Sequence, residues 1–466
     1  MFVDQTALIA STGGQEGESY PSLSSASAIL ACCMLGYALS LLDRQILSLM
    51  VDLVKADLLL SDVQLGLLQG FAFAIFYSIL TVPCGVLADR IVRKRLVAAG
   101  IAFWSVATIA CGLATGFWSL FFARMCVGVG EAVLVPSAYS LISDAFRRDR
   151  VVLAASILGF SGLAGAGIAI LVGGLVIDIV AHAEFLPFGL TGTAPWRVVF
   201  GLVGSPGLIV ALMFLTLSEP SRKGALRDMK GAAVRVPLAQ TLQFIWQRRR
   251  IYIPLYASPV ILGTMVYGAI SWFPAFLVRN FALSYSDVGL FAGLIQMGGA
   301  LSGAALGPSV ASWMVRRGHK DGHLRGLLIV ALSTIIPAVA APLIPDLIPM
   351  LVLWTIAQIL LGSYLGVSMA ALQLRTPNQM RALNSAICMC LSTLVGAGIG
   401  APVVGAIAQY GFHDEKALGY ALSILNLVCA PAAALIIWSG LKPHRNDPFL
   451  YGEGIGADGL QEGRVA

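Results

Sequence analysis

The chain has 466 residues, of which 58% are hydrophobic and only 12% are charged, and its net charge is +6. Soluble globular proteins carry about 25% charged residues, so this composition excludes a soluble enzyme, a disordered chain and a nucleic-acid-binding protein. It indicates a membrane protein with several spans, since each spanning helix needs about 20 apolar residues.

The polar N-terminal residues 1–26 contain no lysine or arginine and lack the apolar core of a signal peptide. Apolar runs without charge follow them and mark ten spans. The stretch 96–143 is too long for one span and divides at Thr115-Gly116-Phe117 into two more. Twelve helices are therefore predicted, because backbone polar groups in lipid must be satisfied within each segment. The ten runs cover 26–42, 63–88, 151–177, 198–218, 251–278, 288–315, 326–345, 347–374, 382–413 and 417–441.

Lysine and arginine are distributed unevenly between the two sides of these spans. If the N-terminus is cytoplasmic, the inner loops and tail hold 24 of the 30 basic residues. Basic residues accumulate on the cytoplasmic side of membrane proteins, so this distribution predicts the orientation. We expect an integral multi-pass protein of the bacterial inner (plasma) membrane, with both termini in the cytoplasm.

The longest internal polar segment, 218–250, follows span 6 and divides the chain into two halves of six spans. Ser61-Asp62 opens span 2 and Ser286-Asp287 opens span 8, and this correspondence indicates a repeat of the half. Two parallel six-helix halves around a central site are a transporter architecture. The predicted fold class is an all-α membrane protein with twelve transmembrane helices in two six-helix halves. The predicted domains are a cytoplasmic N-tail at 1–26, a first bundle at 27–217, a cytoplasmic linker at 218–250, a second bundle at 251–441 and a cytoplasmic C-tail at 442–466.

Span 1 is predicted to continue past its charge-free run, to about residue 52. Four charged side chains therefore lie deep within predicted spans: Asp43 and Arg44 in span 1, and Arg124 and Glu131 in span 4. A charge left to lipid costs at least about 2.5–3.5 kcal/mol, so these groups are expected to be paired. Arg124 and Glu131 are two helical turns apart and share one face. We predict an Asp43–Arg124 pair and an Arg44–Glu131 pair, which serve either as a transport site or as a static structural network.

The chemistry of these four groups predicts separate roles. Burial and a neighbouring arginine act on a carboxyl group in opposite directions, which leaves it poised to gain or lose a proton. Asp43 is the predicted proton acceptor, and Glu131 is predicted to gate with Arg44. Arg44 and Arg124 keep their charge and suit a carboxylate or phosphate ligand. We therefore expect a proton-coupled secondary transporter that works by alternating access.

The loop between spans 2 and 3 carries a motif of one glycine, one acid and several bases over residues 85–95. It resembles the Gly-x-x-x-Asp-Arg-x-x-Arg-Lys signature of the major facilitator superfamily, in which this loop latches the two halves on the cytoplasmic side. The corresponding residues 312–317 keep the bases but lack the acid, so a second latch is not expected. Alternatively, the bases only obey the positive-inside rule. The predicted latch residues are Gly85, Asp89, Arg90, Arg93 and, as their candidate partner, Asp144.

Two further patterns resemble the Spinster family of the same superfamily. Span 1 contains Gly-Tyr followed after five residues by Asp43-Arg44, and span 4 contains Arg124-x-x-x-Gly-x-Gly-Glu131-Ala. The resemblance implies that the span 1 acid and the span 4 glutamate act in proton coupling and gating. It also implies a lipid substrate of the lysolipid or sphingoid-phosphate type. Proton-linked organic-anion (sugar acid) symporters share parts of this pattern and are the alternative.

The second half contains no charge within its predicted spans, and its polar candidates are tyrosines and amides. An uncharged half facing a charged half would enclose an amphipathic cavity, which suits a substrate with an ionic head and an apolar body. The possible cavity residues are Tyr267, Gln296, Gln358, Tyr364 and Asn384.

No cofactor or metal is expected, and the proton is the expected coupling ion. The five histidines lie in or beside loops, and the eight cysteines lie in apolar stretches without disulfide or metal spacing. We therefore predict that the chain is not an enzyme. The expected partners are a small-molecule or lipid substrate and membrane lipids, with no nucleic acid, and the expected state is a monomer. A membrane receptor that does not transport remains an alternative.

Overall fold

The computed structural model describes residues 20–88, 90–183, 192–222 and 238–447. These ranges contain twelve helices that are long and apolar enough to cross a membrane, and they contain no strand, so the predicted fold class is confirmed. The first half comprises spans 1 to 6, Leu23–Leu49, Asp62–Ala88, Arg93–Gly112, Phe117–Ala145, Asp149–Ala181 and Pro195–Thr216. The second half comprises spans 7 to 12, Arg249–Phe281, Tyr285–Arg316, Gly322–Leu343, Leu347–Leu374, Leu383–Phe412 and Glu415–Arg445.

Serine caps begin the second span of each half. The Ser61 side chain accepts from the backbone N–H of Gln64 at 3.2 Å, and the Gln64 side chain accepts from the N–H of Ser61 at 2.9 Å. This reciprocal capping box satisfies two backbone donors that the helix leaves free. Span 8 is capped by Ser284, which accepts from the N–H of Asp287 at 3.1 Å. The cap therefore lies two residues before Ser286, the serine that the sequence repeat indicated.

Several spans are interrupted or extended. Span 2 breaks at Gly70 between the helices Asp62–Gln69 and Phe71–Ala88, and span 1 is followed by a short helix, Val51–Leu58. A Cβ atom added at Gly70 would lie 2.0 Å from the carbonyl oxygen of Ala397. Span 2 therefore meets span 11 of the other half backbone to backbone. The predicted linker contains a further helix, Leu238–Gln247, which ends just before span 7.

Ion pairs join the two halves at one end of the bundle. Arg279 at the end of span 7 pairs with Asp52 at 2.7 Å and with Asp62 at 3.0 Å. Lys55 pairs with Glu415 at 2.8 Å and with Asp62 at 2.7 Å. Within the described ranges, every ion pair between the halves belongs to this group. We call it the outer network, because these loops lie on the predicted outer side.

Candidate functional site

The four charges predicted for spans 1 and 4 lie together in the first half. Asp43, Arg124 and Glu131 are almost completely buried, with 2%, 1% and 0% of their surface exposed. The Arg44 side chain keeps 24% of its surface accessible. Arg44 is therefore the member of this cluster that a ligand entering between the halves can reach first.

The predicted Arg44–Glu131 pair is present. Arg44 Nε donates to Glu131 Oε2 at 2.6 Å, and the Ser40 hydroxyl donates to the same oxygen at 2.6 Å. The Arg44 guanidinium also lies over the rings of Phe73 and Tyr77, with its Cζ 4.7 and 4.4 Å from their centroids. Cation–π contacts of this kind stabilise a desolvated guanidinium. One carboxylate and two aromatic rings from span 2 thus hold Arg44.

The predicted Asp43–Arg124 pair is wrong. Arg124 Nη1 donates to the backbone carbonyl oxygen of Asp43 at 2.9 Å, and these two described side chains form no ion pair within 4 Å. Consecutive residues on a helix point about 100° apart, so Asp43 and Arg44 cannot both face span 4. Arg44 takes that direction, and the Asp43 carboxyl group lies beside Thr108 of span 3.

Each acid of the cluster retains an oxygen without a hydrogen-bond partner in the described part of the chain. These atoms are Asp43 Oδ1 and Glu131 Oε1, and both are buried. Leaving a buried polar group unsatisfied costs about 1–3 kcal/mol, and more for a charged group. The described residues therefore satisfy each of these two buried carboxyl groups only in part.

Small residues allow spans 2, 3 and 4 to meet around the cluster. A Cβ atom at Gly128 would lie 2.6 Å from the carbonyl oxygen of Phe73, and one at Gly130 would lie 2.7 Å from Cβ of Trp104. Glycine is therefore required for the close approach of span 4 to both neighbours. The glycines of the motif let span 4 pack closely against span 2. This packing brings the aromatic rings of span 2 over Arg44, the partner of Glu131.

The second half contributes tyrosines near this cluster. Tyr267 of span 7 is half-buried and lies within electrostatic range of Arg44 and Tyr77. Tyr364 of span 10 lies against Ser392 of span 11 and near Tyr267. Tyr364 is buried in the core of the second half, and Tyr267 is the one of the two that lies within range of the first half. Gln296 and Gln358 line a separate small pocket together with Phe273 and Trp354.

Asn384, the remaining predicted cavity residue, lies elsewhere. Its side chain donates to Thr376 Oγ1 at 2.6 Å and accepts from the hydroxyl of Tyr256, and it is fully buried. The span 11 residue beside Tyr267 is Gly396. Asn384 lies about three helical turns before it, which is about 18 Å along the helix. Its amide is satisfied within this local network, so the prediction that it lines the central cavity is corrected.

The predicted contact between Arg93 and Asp144 is also present, and it is part of a larger cluster. Arg93 pairs with Asp144, and its Nε lies 2.9 Å from Glu219 Oε1. Glu219 also accepts from the backbone N–H groups of Arg93 and Lys94 at 3.1 and 3.0 Å. An acid in this position satisfies the first free donors of span 3 and complements its helix dipole. Sequence reasoning missed Glu219, although it directly follows span 6.

The described contacts of Arg93, Asp144 and Glu219 connect spans 3 and 4 to the residue that follows span 6, and the latch between the halves stays a prediction. Gly85 lies within span 2 and Arg90 is exposed in the loop. Asp89, the acid of the motif, lies outside the described residues.

The second half repeats the cluster with other charges. Asp321 precedes span 9, Arg375 follows span 10 and Asp447 follows span 12. The corresponding ends in the first half carry Arg93 at the start of span 3, Asp144 near the end of span 4 and Glu219 after span 6. Arg375 pairs with Asp447 at 3.0 Å, and Asp321 pairs with Arg445 at 3.4 Å. Residues 312–317 lack the acid of the motif, and the acid of this loop, Asp321, lies later than the motif places it.

Twelve spanning helices in two halves, with a buried charge cluster in the first half, have the architecture of a membrane transporter. The chain matches the Major Facilitator Superfamily over residues 33–321 and belongs to this family. It is 24% identical to an MFS-type efflux pump of Mycolicibacterium smegmatis, over 88% of the chain and 91% of that protein. It is 28% identical to the probable galactarate/D-glucarate transporter GudP of Bacillus subtilis, over 62% of the chain and 65% of that protein.

The predicted resemblance to the Spinster family is confirmed. Protein spinster homolog 1 of Rattus norvegicus is 33% identical over 47% of the chain, and the match covers 40% of that protein. Among solved structures, a bacterial homologue of the human lysosomal transporter Spinster, inward-facing and unoccupied, superposes with a TM-score of 0.77. That match covers 92% of this chain and all of the other at 24% identity, so it concerns the fold.

Proposed function

We propose that the chain is a proton-coupled secondary transporter of an amphipathic anion, such as a lysolipid or sphingoid phosphate. The observation that carries this proposal is the Arg44–Glu131 pair, in which the arginine is partly accessible and the acid is fully buried. The acid neutralises the arginine while it is charged. Release of the arginine by this acid frees the guanidinium for the headgroup of a substrate, and uptake of a proton by the cluster favours that release, which couples binding to the proton.

Asp43 is the proposed principal proton acceptor. It is buried beside Arg124 and Arg44, yet its carboxyl group forms no ion pair with any described residue. Its negative charge is thus the least compensated of the cluster. Glu131, held by Arg44 and Ser40, is the proposed gating acid that releases Arg44.

The proposed apolar body of the substrate lies among aromatic side chains of both halves. Phe73 and Tyr77 beneath Arg44, and Tyr267 opposite, present rings with polar tips beside a fixed positive charge. Aromatic side chains of this kind combine apolar contact with one hydrogen bond each. They support a chain with one ionic headgroup better than a compact substrate with many hydroxyl groups.

The second candidate is a sugar-acid symporter. It is favoured by relatives whose names include galactarate/D-glucarate, hexuronate and L-galactonate transporters. A carboxylate would occupy Arg44 in the same way as a phosphate. The two proposals therefore differ in whether the substrate has an apolar chain, and in both of them transport is coupled to the proton.

Because the ion pairs between the halves that the described residues form lie on the predicted outer side, we assign the described part of the chain to an inward-facing state. In this proposal both termini are cytoplasmic, the protein is a monomer of the bacterial inner membrane, and it needs no cofactor besides the proton.

Uptake by proteoliposomes tests the function directly. Purified protein is reconstituted, a pH gradient is imposed, and labelled lysolipid, sphingoid phosphate and D-glucarate are compared. The proposal expects accumulation of an anionic lipid that collapses with a protonophore. Accumulation of D-glucarate alone would favour the second candidate, and binding without flux of any substrate would favour a receptor.

A further inference from the structure

We propose that the helix Leu238–Gln247 and the arginines after it bind an anionic phospholipid at the surface of the bilayer. The inference is independent of the transported substrate. It concerns a face of the protein that no part of the proposed transport cycle uses.

The helix has one packed face and one exposed apolar face. Thr241 is fully buried, and the ring of Phe244 packs edge-on against Tyr252 of span 7 at 5.8 Å between centroids. On the other face Leu238, Leu242 and Trp246 follow one another at intervals of four residues, with 54%, 48% and 69% of their surface exposed. Residues four apart on a helix form one stripe.

The position of this stripe indicates what covers it. Span 7 begins at Arg249, two residues after the helix ends at Gln247, so the helix lies at the membrane boundary. An amphipathic helix at this level buries its apolar face among lipid acyl chains. Trp246 is the aromatic residue that prefers this interface.

The three arginines after the helix supply the charge complementarity. They line a groove of about 520 Å³ whose other wall is formed by Pro443, Asn446 and Asp447. Asp447 is the acid in this groove, and it is compensated by Arg375 at 3.0 Å and by Arg248 at 3.5 Å. Arg249 and Arg250 are exposed beside it.

A lipid phosphate in this groove would meet two guanidinium groups and the N-terminal end of span 7. Basic residues at the surface attract anionic lipids by about 1 kcal/mol each, which corresponds to about fivefold in affinity. The helix N-terminus favours the same charge. The stripe holds the acyl chains and the arginines select the headgroup, so the ligand is an anionic phospholipid and not a soluble phosphate.

Quenching of Trp246 by lipids with brominated acyl chains tests this site in the full-length protein. The Trp246 signal is the difference between the wild type and Trp246→Phe in bilayers that contain either brominated phosphatidylglycerol or brominated phosphatidylcholine. We expect quenching by both lipids, with phosphatidylglycerol preferred by at least about fivefold. Soluble glycerol phosphate should not reduce this preference, and competition by it would assign the site to free phosphate and overturn the lipid assignment.

The double variant Arg249→Gln/Arg250→Gln should lose the preference but keep quenching by the neutral lipid, which also shows that the helix is still in place. The double variant Arg249→Lys/Arg250→Lys should retain most of the preference for phosphatidylglycerol. The matched control Arg316→Gln/Arg317→Gln removes the same charge from another exposed pair on the same predicted side and should leave the preference intact. Equal losses in both double variants, or no quenching of Trp246 by either lipid, would overturn the proposal.

Discussion

Arg279 in span 7 donates to both carboxylate oxygens of Asp62 in span 2, at 3.0 and 3.1 Å. The two side chains are 6% and 3% exposed, so this bidentate pair is buried although it lies at the end of the bundle. It joins one half of the transporter to the other. Any motion that opens the predicted outer side must break it and expose or re-pair both charges.

We therefore expect Arg279→Gln to shift the protein towards an outward-open state. Removing one partner of a buried pair costs about 3–5 kcal/mol, and here that cost falls only on the state in which the outer side is closed. The measurement is the distance between spin labels at Leu59 and Tyr420, which lie on exposed outer positions of the two halves. The distribution should move to longer distances.

Arg197→Gln is the matched control for this shift. Arg197 pairs with Asp57 at 2.8 Å on the same predicted side, but both residues belong to the first half. The control should leave the distance distribution unchanged. An unchanged distribution in Arg279→Gln would mean that the outer network does not hold this state.

The sequence predicted the twelve spans and the Arg44–Glu131 pair because both depend on local properties. Apolar runs define spans, and depth along two helices determines which charges are level. The prediction of an Asp43–Arg124 pair was wrong because two side chains at the same depth in the membrane can still point in different directions around their helix axes. The contact of Arg124 with the Asp43 backbone at 2.9 Å arises from the closeness of the two spans.

The inter-half pair of Arg279 and Asp62 was not predicted for a different reason. In the sequence, Arg279 is one basic residue after span 7, and Asp62 follows Ser61 at the start of span 2. Neither position indicates the other as its partner. The pairing depends on how two halves pack, which the spacing of residues along one chain does not encode.

Glu219 should contribute more to stability than an exposed acid. It pairs with the buried Arg93 and accepts two backbone N–H groups of span 3. Glu219→Gln weakens the charge-assisted bonds, and we expect about 1–3 kcal/mol of destabilisation. A thermal melt in detergent measures the loss. Asp149→Asn, an acid with 70% of its side chain exposed, is the control and should change the melting temperature little. Equal shifts would contradict a structural role of Glu219.

Labelling of single cysteines tests the predicted orientation. Gln243 is exposed on the linker helix, on the predicted cytoplasmic side, and His182 is exposed at the predicted outer end of span 5. In a variant whose eight native cysteines are replaced, His182→Cys should react with a membrane-impermeant maleimide in intact cells. Gln243→Cys should react only after permeabilisation. The reverse pattern would invert the orientation derived from the basic residues.

Asp43→Asn tests proton coupling. The amide has the size of the protonated acid but cannot exchange a proton, so it fixes the cluster in its neutral form. We expect pH-driven accumulation to disappear while exchange of labelled for unlabelled substrate continues, because exchange needs no net proton movement. Asp57→Asn, an acid of the first half outside the cluster, is the control. If Asp43→Asn retained pH-driven accumulation, Asp43 would not be the coupling acid. Either Glu131 would then have this role, or neither acid would couple transport to the proton.

Arg44 and Arg124 should differ in their effect on the substrate, because only Arg44 is accessible, with 24% of its side chain exposed against 1% for Arg124. Arg44→Gln removes a charged hydrogen-bond donor from the headgroup, which is worth about 1.5–3 kcal/mol or roughly 10- to 150-fold in affinity. We expect this loss for an anionic lipid and little change for a neutral analogue of equal chain length, measured by calorimetry in detergent. Arg124→Gln loses its bond to the Asp43 backbone and should weaken both ligands alike, through the packing of spans 1 and 4. If Arg44→Gln also weakens both ligands alike, the arginine serves only to hold the fold. If a short hydrophilic anion binds the wild type as tightly as the lipid does, the sugar-acid candidate is favoured.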